Sequence, residues 1–178
     1  MSPLRRGLLI AGLGGIAAGA GMLAHLWRLG VLGSAGEPDI GDVILRHRFQ
    51  KLDGSQQTLE HLRGGVLIVN FWATWCTPCR EEIPLFVRLQ QEYTAKNLHF
   101  VGISIDQADK VVAFAKEFRI NYPLVIAGME GVELSRRAGN QAGVLPYTVL
   151  LDRQGRLATS LLGGVDVARL RAAINPLI

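Results

Sequence analysis

The sequence predicts an α/β fold with a mixed central sheet flanked by helices, preceded by an N-terminal transmembrane or signal segment. Three observations support this prediction. Short apolar runs alternate with segments whose apolar residues recur at helical spacing, as in layered α/β proteins. The chain has 178 residues, enough for one domain and an additional terminal piece. No formal charge occurs from Gly7 to Trp27, where Leu, Ile, Ala and Gly predominate.

The uncharged N-terminal stretch is typical of a membrane-spanning helix, since about 20 apolar residues cross the hydrocarbon core. Arg5 and Arg6 precede it and would remain cytoplasmic under the positive-inside rule. A cleaved signal peptide is the rival hypothesis, with small residues at 18–20 and 34–36 as cleavage sites. Export through the twin-arginine route is a third hypothesis. A buried core helix is disfavoured because glycine weakens helices.

An uncleaved anchor is favoured because the run is longer than the usual apolar part of a signal peptide, about 7–15 residues. We therefore predict a cytoplasmic stub at 1–6, an anchor at 7–28, a linker at 29–41 and a domain at 42–178. The domain is expected in the bacterial periplasm or on the extracytoplasmic face, attached to the inner membrane or, alternatively, exported and cleaved.

The charge balance argues against nucleic-acid binding. Three of the 19 basic residues, but none of the 15 acidic residues, lie in residues 1–36, so residues 37–178 carry 16 basic and 15 acidic side chains. A nucleic-acid-binding domain is expected to present a basic patch. The folded part shows no such run, and no nucleic-acid partner is predicted.

The first buried strand is predicted at Val66–Phe71, a short apolar run rich in β-branched residues. Upstream, Asp53-Gly54 indicates a hairpin among short mixed segments. A helix is expected from Cys76 to about Thr94, bent where Pro84 removes a backbone donor.

The rest of the chain continues this alternation. Asp106, at the end of the second long strand, is interpreted as a loop cap, and Asp166 as the cap of the last helix. The predicted elements are a strand at 98–105, a helix at 110–118, a strand at 123–126, a helix at 132–138, strands at 147–151 and 156–162, and a helix ending near 174.

The two cysteines, Cys76 and Cys79, are too close in sequence to staple much of the chain. At a turn from strand into helix, the unpaired N–H groups and the helix dipole favour a thiolate on Cys76. Cys79 lies one turn further and can resolve a mixed disulfide. Structural zinc would require about four ligands, and the histidines are isolated, so no metal is predicted.

The residues around the cysteines are consistent with an exchange site. Pro78 falls in the first helical turn, where its missing N–H costs little. Trp75 can cover one side and leave Cys76 accessible. Glu82 lies three residues after Cys79, on the same helix face, and a partly buried carboxylate there can shuttle a proton.

The segment Val69–Pro84, VNFWATWCTPCREEIP, resembles the active-site segment of the TlpA/ResA-like thiol–disulfide oxidoreductases of the thioredoxin superfamily. The likeness runs from about Phe49 to the C-terminus and includes Leu145-Pro146-Tyr147-Thr148. The resemblance implies a thioredoxin-like fold and a redox-active Cys76–Cys79 disulfide, with no other cofactor. Family members are membrane-anchored or periplasmic.

The resemblance also implies roles for individual residues. Glu82 matches the family's glutamate that is implicated in proton transfer, and Asn70 replaces the buried aspartate of thioredoxin itself. A cis Leu145–Pro146 bond is implied opposite the cysteines, where its backbone offers an edge to a substrate peptide. Trp75, Thr77, Pro78, Leu145 and Pro146 are therefore predicted to bind substrate.

The expected partners are exported proteins with disulfides, a membrane electron donor and, through the N-terminal segment, the membrane itself. The domain is expected to be a monomer. Proline before Cys79 is found in reducing members and favours a reductant in an oxidising compartment. Family members serve cytochrome c maturation, copper-site assembly or sporulation, and the sequence does not choose among these roles.

Two other functions compete with disulfide exchange. A peroxiredoxin-type thiol peroxidase would attack peroxide through one low-pKa cysteine. Its Thr-x-x-Cys context is imperfectly met, because Thr74 is two residues before Cys76. A Sco-like copper-delivery module would also use thiolates, which suit Cu(I). Its cysteines are spaced further apart and a histidine follows far downstream, whereas the last histidine here is His99.

Overall fold

A seven-stranded mixed sheet is the centre of the domain. The computed structural model describes residues 39–178, together with His25. Its strands are β1 Phe49–Lys51, β2 Gln56–Gln57, β3 Val66–Trp72, β4 Leu98–Ser104, β5 Leu124–Ile126, β6 Tyr147–Leu151 and β7 Leu157–Leu162. The strand order is β2-β1-β5-β4-β3-β6-β7, and β3, β4 and β5 run parallel. The other neighbouring pairs are antiparallel, which confirms the predicted mixed sheet.

Helices cover both faces of this sheet. They are α1 Ile40–Arg46, α2 Thr77–Tyr93, α3 Ala108–Glu117, α4 Gly128–Arg137 and α5 Val167–Ile174, with 3-10 turns at Glu60–Leu62, Thr94–Lys96 and Asn175–Leu177. Apolar residues of α2, α3 and α5 form one core with one face of the sheet. Residues of α1 and α4 form a second core on the opposite face. The sheet is therefore buried between two helical layers.

Strand β3 is the central element and leads directly to the cysteines. All seven of its residues are buried. Ile68 faces the core with α2, while Leu67 and Val69 face the core with α1 and α4, as the alternation of side chains along a strand requires. Its pairing with β4 on one side and β6 on the other satisfies its backbone groups. This double burial explains the continuous apolar run in the sequence.

Helix α2 buries the face predicted from its apolar spacing, with Ile83, Phe86 and Leu89 in the core. Phe86 packs against Phe100 of β4, with ring centroids 5.2 Å apart. Pro84 lies inside the helix and is exposed. The bend expected at this proline stays a prediction.

Several predicted elements are confirmed closely. Strand β6 has the predicted bounds, and the Asp166 side chain caps α5 by accepting a hydrogen bond of 2.8 Å from Arg169 N. Helix α4 begins at Gly128, four residues before the predicted start. The helical pattern is obscured by two glycines, at 128 and 131. Gly131 also lets α4 approach Ile105 closely, because a Cβ at position 131 would lie 3.2 Å from Ile105 Cγ2.

Helix α1 was not predicted, and its first two residues fall within the predicted linker at 29–41. The Asp39 side chain accepts a hydrogen bond of 2.8 Å from Gly41 N and so caps the helix. Ile44 and Leu45 are buried in the second core. The chain therefore enters the domain slightly before the predicted boundary at Asp42. The predicted anchor at 7–28 and stub at 1–6 lie outside the described residues.

Gly41 permits a close backbone contact between α1 and the β6–β7 turn. A Cβ at this position would lie 1.9 Å from Gly155 O, a distance that requires the backbone to shift. We expect Gly41→Ala to lower the free energy of unfolding by about 1–3 kcal/mol, as overpacking does, in urea denaturation. Gly164→Ala is the matched control, because its Cβ would make only an ordinary 3.6 Å contact with Pro78 Cβ. Equal stability of both variants would contradict this account.

Within the part of the chain that the structure describes, no helix is both long and apolar enough to span a bilayer.

Candidate active site

The two cysteines lie at the junction between β3 and α2 and form a disulfide. Their Cα atoms are 5.3 Å apart. Cys76 is the N-cap residue of α2, and Cys79 lies in its first turn. Cys76 is 6% exposed, whereas Cys79 is fully buried. A reagent from solvent therefore reaches the sulfur of Cys76 first.

The helix N-terminus favours negative charge on the sulfur of Cys76. Cys79 N donates a hydrogen bond of 3.4 Å to Cys76 Sγ, within the sulfur range. This amide is one of the orphan donors of the first turn, which would stabilise a thiolate at Cys76 after reduction. Pro78 occupies the same turn without the loss of an intrahelical bond. The geometry agrees with the roles predicted for the two cysteines.

A groove of about 400 Å³ opens beside the disulfide. It is lined by Trp75, Cys76, Thr77, Pro78, Ile105, Gly143 and Leu145. Trp75 is 65% exposed, so its indole ring stands out from the surface beside Cys76. The structure thus brings together four of the five residues predicted to bind substrate. Ile105 and Gly143 were not predicted, because each comes from a separate loop with no motif.

The fifth predicted residue, Pro146, is buried and follows a cis peptide bond from Leu145, as the resemblance implied. Its carbonyl oxygen accepts a hydrogen bond of 2.9 Å from Gly163 N, the residue after β7. This contact fixes the loop at the point where it enters β6. Leu145 lines the groove together with Cys76.

Glu82 is 3% exposed and belongs to a buried polar cluster beneath the cysteines. Asn70 Nδ2 donates to Glu82 Oε1 at 2.8 Å and to Thr148 Oγ1 at 2.9 Å. Val165 N, in the loop before α5, donates to Glu82 Oε2 at 3.0 Å. Both carboxylate oxygens are therefore held by partners from other elements. The surface position that is usual for glutamate is excluded.

Burial raises the pKa of the Glu82 carboxyl to about 7, because an ionised carboxylate loses hydration inside the protein. The hydrogen bonds from Val165 N and Asn70, and the positive charge of Arg169, act in the opposite direction. A carboxyl group with this pKa exchanges protons near neutral pH, which suits general acid–base catalysis.

The loop that carries Trp75 is held by a carboxylate from the next strand. Thr74 donates a hydrogen bond from its hydroxyl to the Asp106 carboxylate, and Gln107 N donates to the same group at 2.8 Å. The predicted loop cap at Asp106 is confirmed by these contacts. Arg80 donates to Thr74 O at 3.3 Å, and its guanidinium carbon lies 5.1 Å from the centre of the Phe114 ring.

Thr148 and Val165 belong to the polar cluster around Glu82 and were not predicted. Thr148 is opposite Asn70 in the antiparallel register of β6 and β3. A threonine directly after the Leu-Pro-Tyr segment, within an otherwise apolar strand, was the available signal. Val165 contributes only a backbone N–H, for which a sequence carries no signal. Among the described residues, no group of three or more His, Cys, Asp or Glu side chains is arranged to hold a metal ion.

A family model described as the AhpC/TSA family matches residues 40–160. The chain belongs to this family. This AhpC/TSA chain is also 30% identical over 129 residues to a thiol–disulfide oxidoreductase named ResA from Geobacillus kaustophilus, covering 70% of this chain and 72% of that protein. The sequence predicted that this chain is a ResA-like thiol–disulfide oxidoreductase, and this similarity confirms the prediction.

Other relatives of the AhpC/TSA chain match over a shorter share. A thioredoxin-like protein named YneN from Bacillus subtilis is 35% identical over 58% of this chain and 60% of its own length. The chain spans 63% of the length of ResA from Bacillus thuringiensis, with 29% identity.

Solved structures agree with a thioredoxin-like fold for this AhpC/TSA chain. A thioredoxin-family thiol:disulfide interchange protein from Chlorobium tepidum has a TM-score of 0.65 and 28% identity, covering 74% of this chain and 92% of that one. A secreted thiol-disulfide isomerase from Corynebacterium glutamicum has a TM-score of 0.67 and 26% identity, covering 79% of this chain and 83% of that one.

Proposed function

We propose that this chain is a thiol–disulfide oxidoreductase that reduces disulfides of exported proteins. The observation that carries the proposal is the Cys76–Cys79 disulfide at the start of α2, where Cys76 is 6% exposed and lines the groove while Cys79 is fully buried. This asymmetry assigns nucleophilic attack to Cys76 and resolution to Cys79. The ResA-like relatives support the same chemistry.

The reaction begins with the reduced pair. The Cys76 thiolate attacks one sulfur of a substrate disulfide, which forms a mixed disulfide and releases the other substrate sulfur as a thiolate. The helix N-terminus stabilises the attacking thiolate through the amide of Cys79. The released thiolate takes a proton from solvent.

The second step regenerates the disulfide. Cys79, as the thiolate, attacks Cys76 Sγ, the bond to the substrate breaks, and the second substrate sulfur leaves as a thiolate that takes a proton from solvent to complete the dithiol. Two electrons and two protons have then passed to the substrate. Cys79 is fully buried, so its proton needs an internal acceptor. Glu82, one turn away on α2 and with a pKa of about 7, is the group we assign to this transfer.

Substrate is proposed to bind in the groove beside the disulfide. Trp75, Thr77 and Pro78 line this groove together with Leu145, the residue before buried Pro146. The lining residues carry no charge. An extended segment with an apolar residue next to its cysteine fits this surface, and the backbone of Leu145 offers it a short edge to pair with.

The compartment and partners follow from the N-terminal segment. We propose that residues 7–28 anchor the domain to the inner membrane on its extracytoplasmic side, and that a membrane protein supplies electrons to the monomeric domain. The uncharged run from Gly7 to Trp27 supports this placement. The Corynebacterium relative is described as secreted, which agrees with export. No cofactor beyond the disulfide is required.

Reduction of insulin tests the activity. The protein at catalytic concentration is expected to accelerate the reduction of insulin disulfides by dithiothreitol, followed by the turbidity of the released B chain. Equilibration with glutathione buffers then gives the reduction potential, and a value well below that of glutathione supports the reducing direction. Consumption of peroxide without insulin reduction would instead support the thiol peroxidase alternative.

A further inference from the structure

The loop from Gly139 to Leu145 connects α4 to the cis proline and is held by one buried side chain. Asn140 is 2% exposed. Its Oδ1 accepts a hydrogen bond of 3.0 Å from Val144 N, and its Nδ2 donates one of 2.9 Å to Val144 O. Nδ2 also lies 3.3 Å from Ser135 Oγ, which in turn donates to Val132 O at 2.8 Å. The amide thus joins this loop to the last turns of α4.

Asn140 occupies both backbone hydrogen-bonding groups of Val144. Val144 is nevertheless 44% exposed, so this residue, which directly precedes Leu145 of the groove, lies at the surface with its backbone already paired. Leu145 is different: neither its N–H nor its C=O has a hydrogen-bond partner among residues 39–178. An approaching peptide therefore meets one residue with free backbone groups, next to a residue that has none.

This arrangement has a consequence for the binding of a polypeptide. A peptide that adds to an exposed edge is held by main-chain hydrogen bonds to the backbone groups that remain free. Leu145 can offer such groups at the groove only while the loop before it keeps its conformation, and the pairing of Asn140 with Val144 fixes the residue that directly precedes it.

We propose that Asn140 is a positioning residue for polypeptide substrates: by pairing with both backbone groups of Val144, it holds the next residue, Leu145, where an extended polypeptide can pair with it, and so brings the substrate disulfide to Cys76. This inference rests on the proposed function. Asn140 touches neither the sulfurs nor the substrate, and it acts through the loop. Its effect is therefore limited to substrates with a polypeptide backbone.

Two substitutions test the role of Asn140. Asn140→Ala removes both contacts with Val144. Asn140→Asp keeps the size of the side chain but puts an oxygen in place of Nδ2, 2.9 Å from Val144 O, and the two oxygens repel one another. Gln141→Ala is the matched control, since within residues 39–178 this neighbouring exposed side chain has one hydrogen-bond partner, Arg136 O, at 3.3 Å.

The pre-reduced proteins are mixed with insulin, a polypeptide disulfide, and with 5,5′-dithiobis(2-nitrobenzoate), a small disulfide without a backbone. For both Asn140 variants we expect the half-saturating insulin concentration to rise about tenfold, the effect of one lost hydrogen bond between the substrate and Leu145. The limiting rate and the rate with the small disulfide are expected within about twofold of the wild type. The Gln141 variant is expected to match the wild type with both substrates.

Equal losses with insulin and the small disulfide would overturn the inference, since Asn140 would then only support the fold or the cysteines. Unchanged half-saturation in both Asn140 variants would overturn it as well. If the wild type reacts with the small disulfide but not with insulin, the proposed action on polypeptides fails, and the inference fails with it. Retained reaction with the small disulfide shows that each variant is folded.

Discussion

Replacing Cys76 with serine is expected to lower the rate of insulin reduction by a factor on the order of 10³ or more, as loss of a nucleophile does. Serine cannot form the thiolate that attacks a disulfide. The remaining thiol, Cys79, is fully buried and cannot substitute for it. The measurement is the turbidity assay with dithiothreitol as the electron source.

Cys79→Ser is the matched control, because it removes the other sulfur and leaves the first attack intact. This variant is expected to accumulate a mixed disulfide through Cys76, visible as a mass increase on a non-reducing gel and reversed by excess dithiothreitol. The same variant, expressed with its native N-terminal segment, would trap physiological partners. Accumulation in the Cys76 variant instead would exchange the two assigned roles.

The stability of the oxidised domain is expected to fall as the pH rises through neutrality because of Glu82. Its pKa is about 7 in the folded protein, above its ordinary value of 4.5. The folded state therefore binds the proton more tightly than the unfolded chain does. The contribution of Glu82 to stability is fully present below pH 4.5, and it is lost as the pH rises through 7.

The size of this effect follows from the shift in the pKa of Glu82. Between pH 4.5 and 8, the carboxyl is expected to lower the free energy of unfolding by about 3 kcal/mol. This loss of stability at high pH arises because folding must transfer the ionised Glu82 carboxylate from water to a buried position.

Glu82→Gln provides the comparison, because it keeps the shape of the side chain and removes its titration. Asn70 can rotate its amide so that its oxygen accepts from the Nε2 group of the introduced glutamine and from Thr148 Oγ1. The Oε1 atom of that glutamine can still accept from Val165 N. The cluster therefore stays paired. Urea denaturation at pH 5 to 8 is expected to show that the variant gains about 2.5 kcal/mol relative to the wild type across this range. Parallel pH profiles would show that Glu82 does not titrate there.

The sequence was sufficient to predict the parts of the site that depend on local pattern. Cys76 and Cys79 follow an apolar run and begin a helix, and these features are contiguous in the chain. Asp166 could be predicted as a helix cap for the same reason. Strand β3 was recognised because a central parallel strand is apolar at nearly every position.

The remaining parts depend on contacts between distant residues or on backbone groups. Val165 N binds Glu82 across 83 residues of sequence, and nothing in a valine marks its amide as a donor to a carboxylate. Asn140 lies in a polar loop where asparagine is common, and only the folded loop shows that its amide pairs with Val144. Helix α1 escaped prediction because its seven residues carry too little periodicity to distinguish them from a linker.

The position of β3 has a further consequence for the amide hydrogens of the domain. Because β3 is paired on both sides and buried on both faces, its amides are expected to exchange with deuterium only when the whole domain unfolds. The outer strands β2 and β7 are paired on one side only, so their amides exchange through local fraying. Cys76 lies four residues beyond the end of β3. The nucleophile is thus attached to the slowest-exchanging element of the fold.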